Sequence, residues 1–225
     1  HQTLLFSATM PEDIKKLAHD CLRDPRHISL ITERKAPESI DHYFTYQHPK
    51  DKHTALVKYL KDEDVKQALI FCNARHVVDK MHDSIRKEFE NVGYIHAGLS
   101  QDKRSSVFRQ FKSLKIRYLL ASDVAGRGLD FSQVSHVINW NMPRGRESYT
   151  HRTGRTGRMG KRGKALTFVT KHELSDLREL LDRNEISPCW IGENPLQEKH
   201  ASQDRKKKKR PFRPNRGKGK KVAKP

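Results

Sequence analysis

Over the first 39 residues the apolar positions follow a helical period once. Ile14, Leu17, Ala18, Cys21 and Leu22 recur at i, i+3, i+4, i+7 and i+8, which predicts an amphipathic helix over 10–23. Pro11 suits its first turn, Glu12 and Asp13 suit the positive end of its dipole, and Pro25 stops it. Before it, Leu4-Leu5-Phe6 reads as the end of a buried strand. After it, His27–Ile31 reads as a further strand. Residues 32–39 are polar and contain Pro37, and the stretch 34–39 reads as a linker.

From residue 40 the pattern changes to strands alternating with helices. Strands are predicted at Ile40–Tyr46, Ala68–Cys72, Gly93–His96, Tyr118–Ala121, Val134–Trp140 and Ala165–Val169. Helices are predicted over 52–61, with Leu56, Val57 and Leu60 inward, and over 75–89, with Val77, Met81, Ile85 and Phe89 stacked. Two more run from a Ser100 cap to about Phe111 and over 172–184. Apolar runs such as Ala68–Cys72 suit strands covered on both sides. The alternation predicts an α/β fold with a mostly parallel sheet and helices on both faces. Ligands of such sheets bind beyond the carboxyl ends of the strands.

The periodicity dies after about residue 192, and charge takes over. Residues 199–225 hold thirteen basic side chains against Asp204 alone, +12 of the total +19, which leaves +7 for the rest. The excess points to a polyanionic partner, and the tail 191–225 is expected to be disordered when free. The run Arg205–Arg210 reads either as an RNA tether or as a nuclear or nucleolar localisation signal. Cys21, Cys72 and Cys189 form no CxxC pair, so neither a zinc site nor a disulfide framework is indicated. The histidines lack metal-ligand spacing, and no metal site is expected. No apolar run approaches the roughly 18–20 residues that span a bilayer, so no membrane role is expected. Trp140 is expected in the core, and Trp190 is expected to pack the chain end onto the domain.

Three strings carry chemistry. His151–Arg158 (HRTGRTGR) places Arg152, Arg155 and Arg158 at a spacing of three, which on a helical turn aligns them along one side. Guanidinium forks match phosphate oxygens, and the glycines let a ligand approach closely. A basic glycine-rich surface loop is the plainer reading of a single RxGR. Ala121–Asp130 (ASDVAGRGLD) follows a predicted strand, with Ser122 and glycine-flanked backbone as donors and Asp130 as an acceptor. There the plain reading is a strand-to-helix turn capped by Asp123. Ser7-Ala8-Thr9 sets small hydroxyl residues at a strand end, where Thr9 would also serve as a helix cap.

In order and spacing these strings resemble the DEAD-box RNA helicases of superfamily 2, from His1 to about Ile186. Ser7-Ala8-Thr9 resembles motif III, Leu69–Arg75 motif IV, His96 with Gln101–Arg104 the Q-x-x-R segment, Ser122–Asp130 motifs V and Va, and His151–Arg158 motif VI. The resemblance implies a RecA-like second domain at 40–190, preceded by the end of a first RecA-like domain at 1–33. It implies ATP with Mg²⁺ as cofactor, with the metal and most phosphate contacts coming from the first domain. It assigns Arg155 and Arg158 as arginine fingers and His151 as a coupling residue to first-domain carboxylates. Asp130 and Gly128 fall at the nucleotide, and Ser7, Ala8 and Thr9 couple the domains. Asn73, Gly98, Gln101, Arg104, Ser122 and Arg127 fall where the family grips the RNA sugar-phosphate backbone. Such contacts are largely blind to sequence. Strand separation would be by local bending of a short duplex. The implied protein is a monomer in the cytoplasm, or in the nucleus or nucleolus of a eukaryote, with single-stranded or short duplex RNA as partner and ribosomal precursor particles among the candidates.

Five positions depart from the family's commonest pattern: Ala74 for Thr, Ser122 for Thr, Ala97-Gly98 for Gly-Asp, and Asn141 for Asp. The larger departure is that these 225 residues contain no G-x-x-x-x-G-K-[ST] and no Asp-Glu-Ala-Asp. The chain is therefore expected to be part of a longer polypeptide and to hydrolyse nucleotide negligibly by itself. The other readings are a non-catalytic RNA-binding half-helicase and a DNA helicase of the same superfamily. The joint presence of Ser7-Ala8-Thr9 and His151 disfavours the second.

Overall fold

The computed structural model describes residues 2–7, 10, 12–29, 39–62, 64–123, 134–158 and 160–197. It divides into two compact units, residues 1–34 and 35–225. In the first unit, helix α1 (Glu12–Cys21) forms where the period predicts it, and none of its residues is buried. Residues 2–7 form no strand, and Leu4 and Phe6 are 67% and 89% exposed. A strand needs a neighbour to pair its backbone, and the described residues of this unit supply none. The same holds for residues 27–29 of the second expected strand.

The second unit is one seven-stranded sheet in the order β3-β4-β2-β5-β6-β1-β7. Its strands are β1 (Ile40–Tyr46), β2 (Ala68–Cys72), β3 (Val92–Ile95), β4 (Tyr118–Ser122), β5 (His136–Asn139), β6 (Gly163–Val169) and β7 (Cys189–Trp190). Every pairing is parallel, with β2 matched to β4 from Ala68↔Tyr118 to Cys72↔Ser122. All carboxyl ends therefore lie along one edge.

Helices α2 (Lys52–Asp62) and α3 (Arg75–Ile85) cover one face. Leu56, Leu60, Val78, Met81 and Ile85 pack there on Ile70, Leu120, Ile138 and Phe168. Helix α4 (Gln101–Lys112) covers the other face, with Phe111 against Leu69, Phe71, Leu119 and Val137. Beside it α5 (Gly145–Thr153) and α6 (Leu174–Asn184) close over Phe44 and Val169 through Tyr149, Leu177, Leu180 and Leu181. Ser100 caps α4 as expected, its hydroxyl accepting from the Lys103 N–H.

Three details differ from the expectation. Helix α3 ends at Ile85, where the Glu88 N–H turns back to the Ile85 carbonyl at 2.9 Å, and Phe89 still packs edge-on to Tyr118. Helix α5 and strand β7 form where no element is predicted. The folded part also runs beyond 191, since Trp190 packs against Phe44 at 5.9 Å and Pro195 is buried. The remainder of the expected tail lies outside the described residues. Trp140 is half-buried at the edge of the core, with the Lys52 ammonium 4.6 Å above its ring. Among the described residues no helix is long and apolar enough to cross a membrane.

Candidate RNA edge and arginine turn

Two surfaces emerge at opposite ends of the strands. The first is the carboxyl edge. Asn73 follows β2, Gly98 follows β3, Ser122 ends β4, and Gln101 and Arg104 open α4. The edge therefore collects Asn73, Gly98, Gln101, Arg104 and Ser122 from distant parts of the chain. Arg127, Gly128 and Asp130 lie outside the described residues.

The loop after β3 is held by His96. Its Nδ1 accepts from the Gly98 N–H at 3.0 Å, so Nε2 carries the proton donated to Asp79 Oδ1, also at 3.0 Å. The backbone at Gly98 is close-packed, since a Cβ there would sit 3.1 Å from the His96 ring and 3.3 Å from an Arg75 nitrogen. Arg75 thereby joins this cluster, a neighbour that position in the sequence alone does not reveal. Arg104 donates from Nη1 to Gln101 Oε1 at 3.2 Å, while its buried Nε–H has no partner among the described residues. Ser122 is buried at the end of β4. Cys72 lies beside this edge, and burial pushes its thiol up to about 12, so it is no nucleophile.

Arg152 corrects the expectation of three aligned arginines. It is 2% exposed and turns inward beneath the edge. Nε and Nη2 donate to the two oxygens of Asp123 at 2.5 and 2.6 Å, Nη2 also to Asn73 Oδ1 at 2.8 Å, and Nη1 to the Asn141 carbonyl at 3.0 Å and Asn139 Oδ1 at 3.4 Å. All five N–H groups of the guanidinium are thus used. Asp123 is a salt-bridge partner, not only a turn residue. Asn73 is likewise committed, its oxygen to Arg152 and its amide to the Met142 carbonyl at 3.3 Å, which leaves one amide hydrogen for a ligand. Arg152 ties the ends of β2, β4 and β5 to α5.

The second surface lies at the amino ends of β1, β5 and β6. Helix α5 stops at Thr153, and the chain turns through Gly154–Arg158. His151 is exposed on the last helical turn, Arg155 is half-buried and Arg158 exposed. Arg155 Nε donates to the His151 carbonyl at 3.2 Å and Arg158 Nε to the Gly154 carbonyl at 2.5 Å. The two arginines so satisfy carbonyls at the helix C-terminus, where the dipole favours cations. Between them Thr156 is buried, its hydroxyl donating to the Val134 carbonyl at 2.5 Å. Deeper in α5, Tyr149 Oη and His42 Nδ1 are hydrogen-bonded at 2.7 Å. Burial pushes the phenol well up and the imidazole down to about 4, so both are neutral near pH 7.

Ser7 is exposed in the first unit, and Ala8 and Thr9 lie outside the described residues. Among the described residues no group of three or more His, Cys, Asp or Glu side chains is placed to hold a metal ion.

The family model of the helicase conserved C-terminal domain matches residues 51–160. The ATP-dependent RNA helicase DbpA of Bacillus subtilis is 36% identical over 186 residues, 80% of this chain. The chain spans about 38% of that relative's length. A DEAD box protein from the hyperthermophile Methanococcus jannaschii superposes with a TM-score of 0.65 at 34% identity, covering 83% of this chain and 50% of that one. Escherichia coli DEAD-box protein SrmB, solved with regulator of ribonuclease activity A, gives a TM-score of 0.60 at 30% identity over 69% of this chain and 92% of that one. With its RecA-like parallel sheet matched over nearly the whole of one such structure, the chain belongs to the DEAD-box RNA helicase family and carries its conserved C-terminal domain.

Proposed function

We propose that this chain serves as the second RecA-like domain of an ATP-dependent RNA helicase, with residues 1–33 as the end of the first. The observation that carries the reading is the separation of two donor-bearing surfaces at opposite ends of the strands. The carboxyl edge offers donors to a polyanion, and the turn at the other end of the strands holds Arg155 and Arg158. On this reading Asn73, Gly98, Gln101, Arg104, Ser122 and Arg127 hold the sugar-phosphate backbone of a single RNA strand without reading its bases. Arg155 and Arg158 would hold the terminal phosphates of bound ATP, where their guanidinium groups would offset the charge that develops in phosphoryl transfer. Gly128 and Asp130 meet the nucleotide, and His151 with Ser7, Ala8 and Thr9 links closure of the two domains to RNA binding. Arg152 is a positioning residue, not a phosphate ligand.

ATP with Mg²⁺ supplies the transferable phosphoryl group. The donor set here suits only part of it, because guanidinium groups are present and a carboxylate cluster for the metal is not found among the described residues. The P-loop lysine and the metal-binding acid belong to a domain that these 225 residues do not contain. Turnover is accordingly expected only when this chain is joined to such a domain.

The test compares ATP turnover by the chain alone with turnover by the chain joined to a P-loop-bearing first domain, each with and without RNA. The expected result is negligible turnover alone and RNA-stimulated turnover when joined. RNA binding without turnover in the joined protein would replace this reading with a non-catalytic RNA-binding half. RNA affinity at several salt concentrations also tests the tail. If five of its charges engage phosphates, its removal flattens the slope of log K against log salt by roughly 3.5.

A further inference from the structure

The turn that carries the two arginines is fastened to the start of β1 by one residue. The Ser39 hydroxyl donates to the Gly157 carbonyl at 2.7 Å, and the Ser39 carbonyl accepts from the Gly163 N–H at 2.9 Å. Ser39 thereby bridges the backbone between Arg155 and Arg158 and the first residue of β6. The joint leaves no room for a Cβ at either of its glycines. Gly157 has φ of +67°, which side-chain-bearing residues rarely adopt. A Cβ there would lie 2.6 Å from Ile40 Cγ1 and 3.0 Å from both Ser39 oxygens. A Cβ on Gly163 would run into Thr156 Oγ1 and the Gly157 nitrogen. Thr156 is held in turn to the backbone before β5. The two residues between the arginines are therefore pinned from two sides.

We propose that Ser39 is a positioning residue for Arg155 and Arg158, fixing through its hydroxyl the register of the turn that presents them. The inference rests on the arginine reading above and adds a part to it. Ser39 ends the polar segment that leads into this unit, so the residue by which the chain enters the sheet also sets the arginine turn. No phosphate contact is assigned to Ser39. Its effect is on how often the guanidinium groups stand in the productive geometry, and small displacements there cost rate rather than affinity.

The experiment measures RNA-stimulated ATP turnover of Ser39→Ala, Ser39→Thr and Arg155→Ala in the chain joined to a P-loop-bearing first domain. Ser39→Ala is expected to lower kcat by about 3- to 10-fold, as befits one lost hydrogen bond, with KM for RNA unchanged. Threonine keeps the hydroxyl and is expected to restore kcat to within about twofold of wild type. A serine that merely stabilised the fold would lower the melting temperature and leave kcat per folded molecule alone. Wild-type kcat in Ser39→Ala, or a threonine variant as slow as alanine, overturns the proposal. If Arg155→Ala loses turnover while Ser39→Ala does not, only the positioning role fails. If Arg155→Ala turns over like wild type, the arginine reading fails and takes this proposal with it.

Discussion

Replacing Arg152 by lysine keeps the charge and removes the fork. The guanidinium uses five N–H donors on Asp123, Asn73, Asn139 and Asn141. Lysine has three donors on a single nitrogen, so at least two of these bonds are lost. A hydrogen bond involving a charged group is worth roughly 1.5–3 kcal/mol, which sets an upper range of roughly 3–6 kcal/mol for two. The Asp123 side chain is 40% exposed and rehydrates on its open side. That brings the expected loss to about 2–4 kcal/mol. In a folded unit of this size each kcal/mol is worth about 2–4 °C, so Tm should fall by about 5–15 °C. Calorimetry on the 225-residue chain reads this directly. A fall of less than about 2 °C would refute the assignment of Arg152 as the tie between strand ends and α5.

Two further predictions concern stability. Ala74 is the N-cap of α3, in extended conformation with φ of −144° and no side-chain cap bond. Ala74→Ser should therefore stabilise the chain by about 1 kcal/mol, seen as a higher Tm; an unchanged Tm would show that the cap geometry is not available. His42 is buried, which lowers its pKa from 6.5 to about 4, with Asp41 pulling the other way. Between those values the unfolded chain binds more protons than the folded one, so stability falls as pH drops from 6.5 towards 4, by on the order of 2–3 kcal/mol. His42→Phe, which keeps a ring against Tyr149, should lose that part of the profile; overlapping profiles for the two proteins would contradict it.

The strands were the most legible part of this chain. Ala68–Cys72 and Tyr118–Ser122 are buried at every position, as continuous apolar runs between helices imply for a parallel sheet. Helix α5 escapes such reading because two of its three buried residues, Arg152 and Thr153, are polar and mark no apolar period. The spacing of three identifies Arg152, Arg155 and Arg158 as a group but not their directions. Arg152 turns inward because its acceptors stand at strand ends, Asn73 being 79 residues away. Ser39 looks like the last residue of a polar segment, and its partner Gly157 is 118 residues on. Contacts of this range depend on tertiary packing that no local pattern encodes. Leu4–Phe6 shows the converse, since an apolar run forms a strand only where partners exist.

The central claim is that Arg155 acts on a nucleotide held by another domain. Its most direct test is RNA-stimulated ATP turnover of Arg155→Ala in the chain joined to a P-loop-bearing first domain, with RNA affinity measured alongside. The account predicts a fall in turnover of about 10³-fold or more, the scale of a lost arginine finger, with RNA affinity within about threefold of wild type. Wild-type turnover in that variant would contradict it.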